Sequence, residues 1–250
     1  MSTIIWVDPA TPLPCARQAS MHGLLAAGAD LSVERLTEAY RKGIFPWFNE
    51  GDPVLWWSPD PRMLLKCDEL RISRSLGKLL RRIERTERQD QPAFQVTVDT
   101  AFEDVVRECA APVDKREVTW ISPEVQEAYI AWHHDGHAHS VEVWRDGVLA
   151  GGLYGVCMGR FFFGESMFSR VSDTSKVALV YLVRLLQRMQ IRHIDCQQET
   201  RHLASMGARP MRRDDFLALL EQGLRHPTPV WPRGQLYQSG LFASQAGVTP

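Results

Sequence analysis

Two short stretches in the apolar second half of the chain carry side chains able to hold or move a proton. The first is GRFFFGESMFSR, residues 159–170, in which three phenylalanines run into Glu165 and apolar residues resume at Met167. The second is Ile194-Asp195-Cys196-Gln197. A carboxylate withdrawn from water without a partner is costly, so a glutamate inside a stretch that favours burial has a partner or a task. Strand alternation puts Asp195 and Gln197 on one face, with Ile194 and Cys196 on the other. A carboxylate, which only accepts, beside a carboxamide, which accepts and donates, can orient an amine or a carbonyl. The same pattern would equally serve to cap neighbouring helices or to hold buried backbone, and composition alone does not choose between the two.

Other chemistries are poorly represented. No GxSxG, HExxH, P-loop or dinucleotide fingerprint occurs. Gly151-Gly152, Gly155 and Gly159 fall within expected strands, where they suggest a bulge or a close backbone approach. His133, His134, His137 and His139 sit around a helix end, a turn and a strand start, with no cysteine or carboxylate cluster nearby in sequence. Zinc wants three or four convergent ligands at defined spacing, so the expectation is no metal. Cys196, on the apolar face of a short strand, reads as inert core rather than as a nucleophile. The five cysteines are widely spaced without a CxxC, which fits a reducing compartment.

The elements that must position these residues follow from caps and periodicity. LSVERLTEAYRKG reads as a helix capped by Ser32 and stopped at Gly43. The next segment, IFPWFNEGDPVLWWSPDPR, holds four prolines, three tryptophans and two phenylalanines. It is expected to be neither helix nor regular strand, and it is too aromatic for a plain surface loop. Residues 1–31, punctuated by Pro and Gly, are expected to be irregular. Residues 73–88 form a helix with two stripes: Leu76, Leu79, Leu80 and Ile83 on one face, Arg74, Lys78, Arg81, Arg82 and Arg85 on another. Seven basic residues between Arg71 and Arg88 face only Glu84 and Glu87. The basic stripe is therefore a phosphate-binding candidate, as well as a solvated face.

A strand at 94–98 and helices at 100–110 and from Ser122 to Gly136 follow. Then come strands through HSVEVWRDGVLAGGLYGVCMGRFFFGES, an apolar helix at 174–189, the strand IRHIDCQ, and helices around 199–206 and 213–223. The order β-β-β-α-β-α predicts an α+β fold with a mainly antiparallel sheet. The expected division is 1–115 and 116–250.

With 250 residues, 44% hydrophobic and 24% charged content and a net charge of −1, the chain is an ordinary globular protein. Any nucleic-acid partner needs a local basic patch. The opening MSTIIWVDPATPLP is too short and too proline-interrupted for a signal peptide. The longest apolar run, residues 177–183, is far below the ~20 residues of a membrane span. The expectation is a cytoplasmic protein without a membrane partner.

Taken together, RKGIFPWF, DPVLWWSPDPR, TWIS, GHAHSVEVW, GGLYGV, FFGESMFS and IDCQ…HLASMGA occur in this order. Over roughly residues 20–240 the chain closely resembles the bacterial leucyl/phenylalanyl-tRNA–protein transferases. The resemblance implies a small N-terminal α/β domain and a C-terminal domain similar to the acyl-CoA N-acetyltransferase fold. It implies transfer of leucine or phenylalanine, and less readily methionine, from aminoacyl-tRNA to the α-amine of proteins beginning with Arg or Lys, marking them for degradation. No cofactor is implied, because an aminoacyl ester is already activated, and a monomer is expected. By the same resemblance Asp195 and Gln197 are the catalytic pair and Glu165 holds polar groups at the acceptor end. Trp47 and Trp120 surround the terminal adenosine. Leu153, Phe162, Met167, Leu182, Leu186 and Ile194 form the side-chain pocket, and the basic stripe carries tRNA backbone. Two rivals remain: an acyl-CoA-dependent N-acyltransferase, and a non-catalytic module binding tRNA or degrons. The first calls for a glycine-rich phosphate turn where this chain has SRVSDTSK. The second calls for function that survives loss of Asp195.

Overall fold

The computed structural model describes residues 4–112 and 119–243. Two sheets form its frame. The smaller has β1 (Ile5–Val7), β2 (Leu24–Gly28), β3 (Phe45–Pro46) and β4 (Val54–Trp57), in the order β1-β2-β4-β3. The larger has β5 (Arg62–Lys66), β6 (Phe94–Val98), β7 (Ala138–Arg145), β8 (Val148–Met158), β9 (Phe161–Ser169), β10 (His193–Asp195), β11 (Arg209–Met211) and β12 (Gly234–Gln235). Its order is β11-β5-β10-β9-β8-β7-β6-β12, and every neighbour pair is antiparallel except β9 with β10. The fold is α+β with a mainly antiparallel sheet, as the element order predicts.

Helices cover both faces of the larger sheet. On one face lie α1 (Val33–Arg41), α3 (Phe102–Ala110), α4 (Pro123–His134) and α7 (Arg213–Leu224), which share a core with Tyr154, Val156, Phe161 and Phe163. On the other lie α2 (Arg74–Thr86) and α5 (Thr174–Arg188), packed on Val141, Val143, Leu153, Cys157 and Phe162. A short α6 (Arg201–Ser205) follows β10. The caps read from sequence, Ser32 and Ser122, each accept a hydrogen bond from the backbone N–H three residues on, and Pro123 opens α4; Ser73 caps α2 in the same way. No described helix is long and apolar enough to cross a membrane.

Two expectations are corrected. Residues 1–31 contain β1 and β2, and the aromatic segment contains β3 and β4. Val54–Trp57 lies between Pro53 and Pro59, so the prolines bound the strand instead of interrupting its ladder. The expected division near residue 115 falls at 113–118, outside the described residues. Among those described, the larger sheet takes β5 and β6 from before that point and its other strands from after it.

Candidate active site

Glu165 owes its position to a break in strand pairing. Along β8 and β9, Tyr154 faces Ser166 and Gly155 faces Gly164, so Glu165 is an extra residue with no partner opposite. Such a bulge re-aims a side chain. The carboxylate turns toward α4 and β10: Tyr129 Oη donates to Oε2 at 3.0 Å, and Gln197 Nε2 donates to Oε1 at 3.2 Å. Tyr40 from α1 shares a short hydrogen bond with the Tyr129 hydroxyl. Gly155 is required beside the bulge, because a Cβ there would lie 2.2 Å from the Phe163 carbonyl oxygen.

Asp195 ends β10. Arg62 from β5 meets it with two parallel bonds, Nε to Oδ1 at 2.9 Å and Nη2 to Oδ2 at 2.6 Å. Both side chains are withdrawn from solvent, at 1% and 0% exposure. The guanidinium also donates to the Gly43 carbonyl and lies between the rings of Phe45 and Phe216. Just beyond, Gln197 adopts a left-handed backbone with φ 53°, a conformation costing ~1–2 kcal/mol for a non-glycine residue. The Gln197 N–H donates to Asp195 Oδ1 at 2.9 Å and its carbonyl accepts from Met63 N–H, which hold the turn.

β9 and β10 pair only at Phe162–Ile194 and Phe163–Asp195 before they part. A cavity of about 490 Å³ opens where they diverge. Its apolar wall includes Leu153, Phe162, Met167, Leu179, Leu182 and Ile194, and its polar edge carries Glu165 and Gln197. Trp47 and Trp120 line the mouth, with Thr200, His202 and Leu203 from the α6 region. Trp47 is 40% exposed and packs edge-on against Trp57.

Burial pushes the Glu165 carboxyl up to about 7, and the Asp195 charge adds to it, while the Tyr40 and Tyr129 hydroxyls and Arg62 oppose the rise. Burial also raises the Tyr40 and Tyr129 hydroxyls and the Cys196 thiol. His202 is lowered, first by burial and then by the nearby Lys176 charge. The edge of the cavity therefore carries a carboxyl that can gain or lose a proton near neutrality, beside a carboxamide aimed at it.

The basic residues Arg74, Lys78, Arg81, Arg82 and Arg85 are exposed along α2, and none forms an ion pair among the described residues. Glu87, one of the two opposing acids, is turned inward, where it accepts from Tyr181 Oη and the Gln238 N–H. Elsewhere, Asp99, His133 and His139 each offer a donor atom within 4.8 Å of the others and could hold a metal ion. None of the three lines the cavity.

The family models and the curated relatives agree with one another. The family model "Leucyl/phenylalanyl-tRNA protein transferase" matches residues 64–221, and the model of that family's N-terminal domain matches residues 29–60. The chain is 57% identical to a leucyl/phenylalanyl-tRNA–protein transferase of Bordetella petrii, over 94% of each chain. It is 52% identical to one from Chromobacterium violaceum, over 90% of this chain and 94% of that one. The chain belongs to the leucyl/phenylalanyl-tRNA–protein transferases. It is thus an aminoacyltransferase. Among solved structures it is similar to a GCN5-related N-acetyltransferase from Kribbella flavida, with a TM-score of 0.36 and 10% identity over 70% of this chain and 60% of that one.

Within this transferase, the catalytic and substrate-pocket residues singled out from sequence fall into three groups. Glu165, Gln197, Trp47, Trp120, Leu153, Phe162, Met167, Leu182 and Ile194 line one cavity. Asp195 lies behind that wall, in contact with Gln197 and Arg62. Leu186, one turn beyond Leu182 on α5, is fully buried in the core and is not on the wall. Sequence reasoning missed Arg62, Tyr40, Tyr129, Leu179 and His202. Arg62 had one signal, a charge directly before the apolar Met63-Leu64-Leu65; the tyrosines had none, because their meaning lies in contacts across the fold.

Proposed function

We propose that the cavity between β9 and β10 is where leucine or phenylalanine passes from its tRNA to the α-amine of an acceptor protein. The observation that carries this reading is the joining of an apolar wall to the Glu165–Gln197 edge in one cavity of a size suited to a small ligand. The aminoacyl side chain enters between Leu153, Phe162, Met167, Leu182 and Ile194, and methionine fits the same surface less readily. The terminal adenosine lies against Trp47 and Trp120, where stacking on an aromatic ring is worth ~1–3 kcal/mol per base. The exposed basic face of α2 takes tRNA phosphates, largely independent of sequence.

The reaction needs orientation more than activation. The ester is already activated, and an α-amine with a pKa of about 7.7–8.0 supplies a useful neutral fraction. Gln197 presents its carboxamide to the attacking amine, and Asp195, fixed by Arg62, holds the Gln197 backbone in place. Acceptors begin with Arg or Lys, the product is marked for degradation, and the enzyme acts as a cytoplasmic monomer. An acyl-CoA substrate is less well served. The junction before α5 reads SRVSDTSK with no glycine, and Ser169 Oγ already accepts from the Ser175 N–H, so that backbone donor is not free for a pyrophosphate.

The test is a transfer assay with radiolabelled leucyl-tRNA and peptides starting with Arg or Gly. Label is expected on the Arg peptide alone, and Asp195→Ala is expected to lose transfer together with stability, because it leaves the buried Arg62 unpaired. Label from acetyl-CoA but not from leucyl-tRNA would overturn the reading.

A further inference from the structure

We propose that Glu165 is the proton carrier of the transfer step, taking the proton of the attacking amine and handing it to the departing ribose oxygen. The inference rests on the cavity being the transfer site. In the step, the amine nitrogen forms a bond to the ester carbon and becomes cationic. One N–H proton moves to the Glu165 carboxylate. The bond from carbon to the ribose oxygen then breaks, and that oxygen receives the proton from the Glu165 carboxylic acid. Atoms and charge balance with no cofactor.

Geometry selects Glu165 over its neighbours. Asp195 is the other carboxylate at the site, but Arg62 occupies both of its oxygens, the Gln197 N–H adds a third bond, and the side chain is off the cavity wall. Gln197 is a carboxamide, which does not take a proton near neutrality. The Cys196 thiol is pushed up by burial. Glu165 lines the cavity, and each of its oxygens accepts one hydrogen bond, from Tyr129 and from Gln197, which leaves lone pairs for a substrate N–H.

The groups that face Glu165 from the packed elements are Tyr40 on α1, Tyr129 on α4, Tyr154 on β8, Arg62 on β5 and Asp195 on β10. Burial keeps the tyrosine hydroxyls protonated, and that of Tyr129 donates to Glu165. The Arg62 and Asp195 charges are paired with each other. This leaves the carboxyl at about 7, close to the amine, where a carrier exchanges a proton most readily in both directions. His202, on the same wall with its buried Nε2 lacking a protein partner, is the competing group.

The test is a single-turnover measurement with saturating leucyl-tRNA and an Arg-starting peptide between pH 5.5 and 9. It compares wild type, Glu165→Gln, Glu165→Ala with added formate or formamide, and His202→Asn, with leucyl-tRNA affinity followed in parallel. The wild-type rate is expected to rise through an inflection near 7. Glu165→Gln is expected to keep its tRNA affinity, transfer about 100-fold more slowly or worse, and lose that inflection, leaving only the dependence of the amine. Formate, but not formamide, should restore rate to Glu165→Ala. A Gln variant of near wild-type rate overturns the proposal, as does a slow variant whose alanine counterpart formate does not rescue. Loss of the inflection in His202→Asn instead would assign the role to His202. Wild-type protein that transfers nothing would sink the underlying reading of the cavity, a result distinct from normal transfer with an unaffected Gln variant.

Discussion

Arg62 and Asp195 form a two-bond ion pair that is closed to solvent on both sides and reaches from β5 to the end of β10. Removing one member leaves an uncompensated buried charge, whereas an apolar replacement of both is far less costly. Arg62→Met is therefore expected to lower stability by about 3–5 kcal/mol, and the Arg62→Met/Asp195→Leu double variant by clearly less than the two single losses combined. Urea unfolding of the three variants reads the coupling, and additive losses would contradict it.

Glu165 makes stability depend on pH in a direction opposite to most acids. Its carboxyl titrates near 4.5 when unperturbed and at about 7 in the fold, so between these values the folded state binds the extra proton. The site contributes its full stability below about 4.5 and loses it as pH rises through 7. The stability of wild type relative to Glu165→Gln should thus fall by about 3 kcal/mol between pH 4.5 and pH 8. Urea midpoints of both proteins at the two pH values check this; a constant difference would show an unshifted carboxyl.

Leu182 occupies the cavity wall contributed by α5. A larger side chain there shortens the space for the aminoacyl group. Leu182→Phe is expected to reduce phenylalanine transfer more than leucine transfer, by roughly 10-fold in the ratio of kcat/KM values. Competition between the two charged tRNAs measures this ratio directly, and an unchanged ratio would place the side chain elsewhere.

On α2, Arg81 and Arg85 are exposed and carry no ion pair among the described residues. Each phosphate contact contributes about one to the slope of log affinity against log salt. The Arg81→Ala/Arg85→Ala double variant should weaken tRNA binding and flatten that slope by up to about two, without changing which aminoacyl group is preferred. An unaltered slope would make this stripe an ordinary solvated face.

Much of the frame was legible because it depends on local rules. Ser122-Pro123 and Gly136 bracket α4 through capping and proline geometry, and the Leu and Arg stripes of α2 follow from helical period. The site was legible in its chemistry but not in its assembly. Glu165 stood out as a carboxylate in an apolar strand, yet the bulge that aims it exists only relative to β8. Arg62 lies 133 residues from Asp195, and Tyr40 lies 89 residues from Tyr129, so no local pattern pairs them. The strands at 5–7 and 54–57 were hidden because prolines mark both loop interiors and strand ends.

The bulge in β9 separates what the fold needs from what the chemistry needs. With Glu165 set aside, Gly164 and Ser166 already sit opposite successive residues Gly155 and Tyr154, while Phe163 and Met167 keep their partners Val156 and Leu153. The carboxylate is thus an insertion into an otherwise complete ladder. A chain lacking this one residue could close its hydrogen bonds and keep Phe162, Phe163, Met167 and Phe168 on their own sides of the sheet. The architecture would survive as an inert shell, which makes a one-residue deletion a sharper way than any substitution to part the scaffold from its reaction.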